Sequence, residues 1–214
     1  MLGVKPYYQG KGVTVYNCDS LAVIDQLEHY DLLLTDPPYG IGEAAGKNKS
    51  RGKLAGSKDY GNDSWDNTLI PAASVLSLIA ACKNAVVFGG NYYGCLPASS
   101  CWFVWDKDNG ETDFADAELA WTNSKKAVRI FKHRWQGMLK GRKEYRWHPT
   151  QKPEALMRWC LGHFPKAQTV LDPFLGSGTT AVACVAEGRQ CVGIEREEKY
   201  CEAAANRLEQ GYLF

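Results

Sequence analysis

The chain has 214 residues, with 25 Lys and Arg against 24 Asp and Glu, for a formal net charge of +1. Its 45% apolar and 23% charged residues are those of an ordinary globular protein, which excludes a disordered, collagen-like or coiled-coil chain. The balanced total, taken alone, argues against a nucleic-acid binder. The eight Cys form no C-x-x-C pair and the four His show no ligand spacing, so no metal site is expected. Most of the thiols sit in apolar runs and read as reduced. With no signal peptide and no apolar run near the ~20 residues a membrane span needs, the expectation is a cytoplasmic protein without membrane contact.

The residues around Val13–Cys18 predict a strand, followed by a short helix from Asp19 to about Glu28. Asp31–Thr35 is an apolar strand that must stop at Asp36-Pro37-Pro38-Tyr39, because consecutive prolines cannot extend a central strand. Residues 40–67, rich in Gly, Lys, Ser and Asn, read as a long loop of the kind that is functional or disordered. A helix over about Ile70–Lys83 leads to a strand at Ala85–Gly89. Strands at Cys101–Trp105, Ala117–Trp121 and Val128–Phe131 follow without long helices between them, so at least one antiparallel pair is expected. A helix from Pro153 to about His163 precedes a β-α-β unit: strand Gln168–Leu171, glycine turn, helix Thr179–Glu187, strand Gln190–Ile194. A last helix covers about Glu197–Glu209. The alternation predicts a single α/β domain over residues 1–214 with a largely parallel sheet.

Two turns carry chemistry. The first in the argument, Asp172-Pro173-Phe174-Leu175-Gly176-Ser177-Gly178-Thr179-Thr180, joins a strand to a helix. Its glycines permit close backbone approach to a ligand, and Gly176-x-Gly178-x-x-Ala181 fits a loose dinucleotide fingerprint. Glu195 closes the next strand, at the distance expected of a ribose-binding carboxylate. No Lys follows the glycines, so a phosphate-binding P-loop is not expected. Only one more strand and helix follow the turn, so earlier segments must complete the sheet. That brings Asp19 and Asp36 toward the same crevice, at the carboxyl ends of parallel strands.

The second turn is Asp36-Pro37-Pro38-Tyr39. A carboxylate and the carbonyl of Pro37, fixed by the ring, each accept one N–H of a planar amino group, and Tyr39 stacks on the ring that carries it. Methylation of an exocyclic base amine needs this arrangement. In duplex DNA it also needs the base flipped out of the stack.

The pair of turns resembles the DNA amino-methyltransferases that use S-adenosylmethionine, and the order, catalytic motif before cofactor motif, is similar to the beta group of that family. The resemblance covers most of the chain. It implies a Rossmann-like methyltransferase fold with a mixed, mostly parallel, about seven-stranded sheet flanked by helices, in circularly permuted motif order. It implies S-adenosylmethionine as cofactor. Asp36, Pro37, Pro38 and Tyr39 would handle the target base. Asp172, Pro173, Phe174, Gly176, Ser177, Gly178, Thr179 and Thr180 would line the cofactor. Glu195 would take its ribose and Asp19 its adenine amine. His148-Pro-Thr-Gln-Lys-Pro153 resembles the segment at the methionine end, so Thr150 and Lys152 would meet the carboxylate there. Asp at the first catalytic position is commoner among adenine-N6 enzymes of the family, and Ser among cytosine-N4 ones.

The charge count changes when it is resolved along the chain. Residues 125–146 hold nine basic residues, Lys125, Lys126, Arg129, Lys132, Arg134, Lys140, Arg142, Lys143 and Arg146, against Glu144, a local +8 that leaves −7 for the rest. Phe131, Trp135, Tyr145 and Trp147 interleave with them, as in phosphate-tracking, base-stacking surfaces. Lys47, Lys49, Arg51 and Lys53, with Lys58, give residues 43–59 of the earlier loop a net +3 against Glu43 and Asp59. Residues 41–66 and 123–146 are therefore the expected DNA-contacting insertions. Residues 106–118, with six acids to Lys107, would repel DNA from one side or pair with the basic segment.

The expected partner is double-stranded DNA, acted on by a monomer or homodimer. Cytosine-N4 methylation, methylation of another planar amine on RNA or protein, a catalytically silent DNA-binding module and an NAD-dependent oxidoreductase are the competing readings.

Overall fold

In chain order the elements are β1 (Tyr8–Gly10), β2 (Val13–Asn17), β3 (Tyr30–Thr35), α1 (Ala72–Ala80), β4 (Cys82–Phe88), β5 (Trp102–Asp106), β6 (Ala117–Thr122) and β7 (Arg129–Lys132). They continue with β8 (Trp135–Gln136), β9 (Leu139–Lys140), α2 (Glu154–Gly162), β10 (Thr169–Asp172), α3 (Thr179–Ala186), β11 (Gln190–Glu195) and α4 (Glu198–Glu209). The structure is a computed structural model that describes residues 2–40, 69–110, 115–136, 139–140, 147 and 151–210. The expected loop 40–67 lies almost wholly outside the described residues, as do Lys47, Lys49, Arg51, Lys53, Arg142, Lys143, Arg146, His148 and Thr150. Of Lys140 only the backbone is described.

Nine strands form one sheet in the order β1-β2-β11-β10-β3-β4-β6-β5-β7, and β8 pairs with β9 apart from it. The run from β2 to β4 is parallel. β6 is antiparallel to both β4 and β5, which supplies the expected antiparallel pairs. The sheet has nine strands instead of the expected seven or so, with the short strands β1 and β7 at its two edges. β1 is held by a hairpin through Lys11 (φ 51°) and Gly12 (φ 76°), the two left-handed residues of a type I′ turn.

The central strands are apolar throughout because both of their faces are covered. Leu32 and Leu34 of β3, with Val86 and Phe88 of β4 and Val170 of β10, pack on α2, α3 and α4 through Leu156, Met157, Cys160, Ala181 and Cys201. The intervening Leu33, Ala85, Val87 and Leu171 face the other way, against Leu78 of α1 and Trp121.

One expected element is corrected. Residues 19–28 form two 3₁₀ turns, Ser20–Ala22 and Ile24–Gln26, instead of one helix. Asp19 caps the first turn through Leu21 N–H at 2.9 Å. Val23, at φ −119°, ends that turn and starts the second, so no continuous α-helical run forms.

Gly178 packs α4 against the glycine turn. Its φ is +83°, and a Cβ there would lie 2.7 Å from Cβ of Ala204. Gly178→Ala combines a left-handed backbone with an overpacked contact and is expected to cost about 1–3 kcal/mol. Urea unfolding checks this: the midpoint falls at unchanged slope, and a wild-type midpoint would contradict the packing.

Candidate active site

The parallel register of β3 with β10 decides where the two chemical turns meet. Leu33 is level with Leu171, so the strands end side by side, and the Thr35 hydroxyl donates to Asp172 Oδ1 at 2.9 Å. Asp36, the next residue after β3, opens into the same cavity as Asp172. That cavity, of about 310 Å³, is lined also by Asp19, Pro38, Phe174, Gly176 and Glu195. The volume is within the usual range for a small-molecule site. Its walls include Leu21, Ile70 and Pro71 opposite the glycine turn.

The acids are held by backbone donors. Glu195 accepts from Gly176 N–H at 2.8 Å and from Glu197 N–H at 2.7 Å, one bond to each carboxylate oxygen. Burial, only partly offset by these bonds, pushes its carboxyl up to about 7. Asp172 is buried too. Burial raises it to about 6 against the opposing hydrogen bonds of Thr180, Thr35 and the Phe174 N–H. Asp19 stands exposed at the mouth, with Oδ1 used as the cap described above. Arg207 of α4 pins the turn from behind, its Nη1 donating to Ser177 O at 2.7 Å and to Thr179 Oγ1 at 3.1 Å.

At the other end of the cavity lies Lys152, only 5% exposed. Its Nζ is 2.5 Å from Asp36 Oδ2 and 3.1 Å from Glu118 Oε2. Glu118 Oε1 is in turn 2.7 Å from Lys107 Nζ. Burial alone would lower the Lys152 ammonium, but Asp36 and Glu118 more than reverse that, so it is held in its charged form. Burial likewise opposes ionisation of Glu118, and Lys152 and Lys107 outweigh it, so this carboxyl lies below its usual value. Asp36 is raised by burial, with Lys152 opposing.

Tyr39 donates its hydroxyl to Asp36 Oδ1, and its ring stacks on Tyr92 with centroids 5.3 Å apart at 23°. Gly89 makes room for that ring, since a Cβ there would lie 2.1 Å from Tyr39 Cε1. Tyr93 donates to the Pro38 carbonyl at 2.5 Å.

The sequence-derived residues are thus mostly assembled in one place, with four departures. Gly178 does not line the cavity; its missing side chain serves the α4 contact. Pro37 is buried and does not line the cavity either, and the carbonyl that a described side chain engages is that of Pro38. Tyr39 sits behind Asp36, against Tyr92, outside the cavity lining. Lys152 reaches the cavity but spends its charge on Asp36 and Glu118.

Glu118, Tyr92, Tyr93 and Arg207 were not found from the sequence. Glu118 carried one signal, an acid inside the apolar strand Ala117–Thr122. Because β6 runs antiparallel, its first residues lie at the sheet edge where β3, β4 and β10 end. The acidic stretch 106–118 thereby acquires two roles, since Asp108 pairs with Lys132 at 3.0 Å and Arg134 at 3.5 Å. Lys125, Lys126, Arg129, Lys132 and Arg134 are all exposed, and Lys126 Nζ donates to the His163 carbonyl at 2.9 Å.

Known proteins are similar to this chain in sequence and in fold. The DNA methylase family profile matches residues 102–206. The Type II methyltransferase M2.LlaDCHI of Lactococcus lactis subsp. cremoris is 25% identical over all of this chain and 96% of its own length. The Type II methyltransferase M2.DpnII of Streptococcus pneumoniae is 26% identical over 98% of this chain and 94% of its own. Among solved structures, the M1.HpyAVI–SAM complex superposes with a TM-score of 0.57 at 25% identity, covering 91% of this chain and 99% of that one. The cytosine-N4-specific PvuII DNA methyltransferase gives 0.58 at 18% identity, covering 97% and 90%, a likeness of fold. Among the described residues no helix is long and apolar enough to cross a membrane. The chain is thus similar to the N6/N4 DNA methylases over residues 102–206, and to Type II methyltransferases along nearly its whole length.

Proposed function

We propose that the chain methylates the exocyclic N6 amine of adenine in DNA, with the base flipped out of the duplex and delivered to Asp36. The observation that carries this reading is the placement of Asp36 and Asp172 at the adjacent ends of β3 and β10, facing one cavity.

The cavity suits the cofactor on its own chemistry. Among the acids that line it, Asp19, Asp172 and Glu195 surround a space with apolar walls and a glycine turn, matching a ligand with a diol, amines and a cationic sulfur. In this reading Glu195 takes the ribose hydroxyls, Asp19 the adenine amine and Asp172 the amino group of the methionine end, with Phe174 and Ile70 beside the rings. Bound there, S-adenosylmethionine supplies a methyl group on sulfonium sulfur, an electrophile whose leaving group is a neutral thioether. Asp36 accepts an N–H of the target amine, directs its lone pair, and favours the positive charge that develops on nitrogen as the N–C bond forms. A proton then leaves the nitrogen by way of the carboxylate. Positioning and charge stabilisation supply the rate. Asp at position 36 fits the adenine preference that the resemblance implies. The exposed bases from Lys125 to Arg134 would contact phosphates, and the place of action is the cytoplasm, where the DNA is. We take the active unit to be a monomer or homodimer.

Transfer of tritiated methyl groups to DNA, followed by nucleoside analysis, tests the reading. N6-methyladenine is expected, and Asp36→Ala should lower the rate by on the order of a hundredfold or more. N4-methylcytosine would reassign the base, and full transfer by Asp36→Ala would remove Asp36 from the chemistry.

Cofactor affinity should also depend on pH. In the free protein Glu195 is raised to about 7. Hydrogen bonds from a diol favour the ionised form, so binding lowers this pKa, and affinity is gained as pH rises through the free value. Calorimetry with S-adenosylhomocysteine is expected to show Kd falling about fivefold between pH 6 and 7, with the slope much reduced in Glu195→Gln. An equal slope in both proteins would take the ribose off Glu195.

A further inference from the structure

Four charges alternate along one line from the protein rim to the catalytic turn: Lys107, Glu118, Lys152, Asp36. The links are 2.7 Å, 3.1 Å and 2.5 Å long, and the charges sum to zero. In this state both oxygens of Asp36 are engaged, Oδ1 by the Tyr39 hydroxyl and Oδ2 by Lys152. A target amine that must donate to Asp36 therefore meets an ammonium already bound there. That ammonium would also oppose the positive charge that develops on the amine nitrogen.

Lys152 has little room to retreat into water. It is 5% exposed, with the Phe88 ring centroid at 5.5 Å and the Tyr39 ring centroid at 5.4 Å. Losing its partner in such a place would leave an uncompensated buried charge. Glu118 is the alternative partner. Its Oε2 is buried, lies in ion contact with Lys152, and receives no hydrogen bond of acceptable geometry from any described donor. Its other oxygen is held from the far side by Lys107, so Glu118 is anchored and does not follow the lysine.

We propose that Glu118 is a positioning residue that takes the Lys152 ammonium from Asp36 when the target amine enters, leaving the Asp36 carboxylate to the amine. The inference rests on the amino-methylation reading above. Lys152 then stays fully paired in both states, and the site changes occupant without exposing a bare buried charge. Glu118 acts through Lys152 and touches neither substrate nor cofactor.

The test compares wild type, Glu118→Gln and Glu118→Asp for methyl transfer to DNA, for S-adenosylhomocysteine binding by calorimetry and for thermal midpoint. Glu118→Gln keeps the shape and loses the charge, so Lys152 stays on Asp36. A fall in kcat of about tenfold or more is expected, with the Kd for S-adenosylhomocysteine within about twofold of wild type, and Glu118→Asp is expected to recover most of the lost rate. A Glu118→Gln protein with wild-type kcat overturns the proposal. So does equal loss in the Gln and Asp variants, which would mark shape instead of charge, or parallel loss of kcat, ligand binding and thermal midpoint, which would mark a structural role. Absence of transfer by the wild-type protein would overturn the functional reading, and this inference with it. Wild-type transfer with an unimpaired Glu118→Gln overturns only this inference.

Discussion

β3 and β10 are neighbours that run the same way, and their register brings together groups far apart in the sequence. Thr35 ends one strand and Asp172 ends the other, and the hydroxyl of the first donates to the carboxylate of the second at 2.9 Å. The turn that follows each strand is then forced into the same crevice: Asp-Pro-Pro-Tyr on one side, the glycine turn on the other. In parallel sheets the crevice beyond the carboxyl ends of the strands is where ligands bind, and here two adjacent strands end in acids. The parallel pairing needs helices on both faces, which α1 and α2–α4 provide, and those helices explain why the strands are apolar without alternation.

Electrostatics sets the remaining order. An acid removed from water is costly unless something donates to it. Asp172 is served by Thr35 and the Phe174 N–H, Glu195 by the Gly176 and Glu197 N–H groups. Asp36 is served by a phenol and an ammonium. Glu195 is fixed by backbone donors of the turns around it, and Asp172 by one such donor and by the Thr35 hydroxyl of β3. Asp36 depends on a lysine from the segment before α2 and, through it, on a glutamate of β6. The Asp36 end of the cavity is thus held by side chains from distant segments, while the Glu195 end is held mainly by neighbouring backbone. Under the proposed reading, this difference suits one end that admits a target base and another that holds the cofactor.

Much of this was legible in the chain. β2, β3, β10, α3 and β11 follow from apolar runs bounded by proline or glycine, and the two motif turns could be placed at strand ends on that basis alone. The β1 hairpin was not legible because its turn begins with Lys11, a residue that seldom takes a left-handed conformation. The two 3₁₀ turns after Asp19 have the capping and apolar content of a helix start, and nothing local in the sequence marks the stop at Val23. The partners of Lys152 were out of reach for another reason. Glu118 and Asp36 are brought to it by a strand reversal and a crossover, which no motif encodes. Net charge misled in the same way: a total of +1 conceals a strongly basic stretch, and Asp108 then neutralises part of that stretch in space.

In the proposed function, one cavity between the ends of β3 and β10 holds the methyl donor within reach of Asp36. A crystal structure of the chain with S-adenosylhomocysteine tests it most directly. The account predicts the ligand in that cavity, with its ribose at Glu195, its adenine toward Asp19 and its sulfur directed to the Asp36 side. Ligand bound elsewhere, or seated with its sulfur turned away from Asp36, would contradict it.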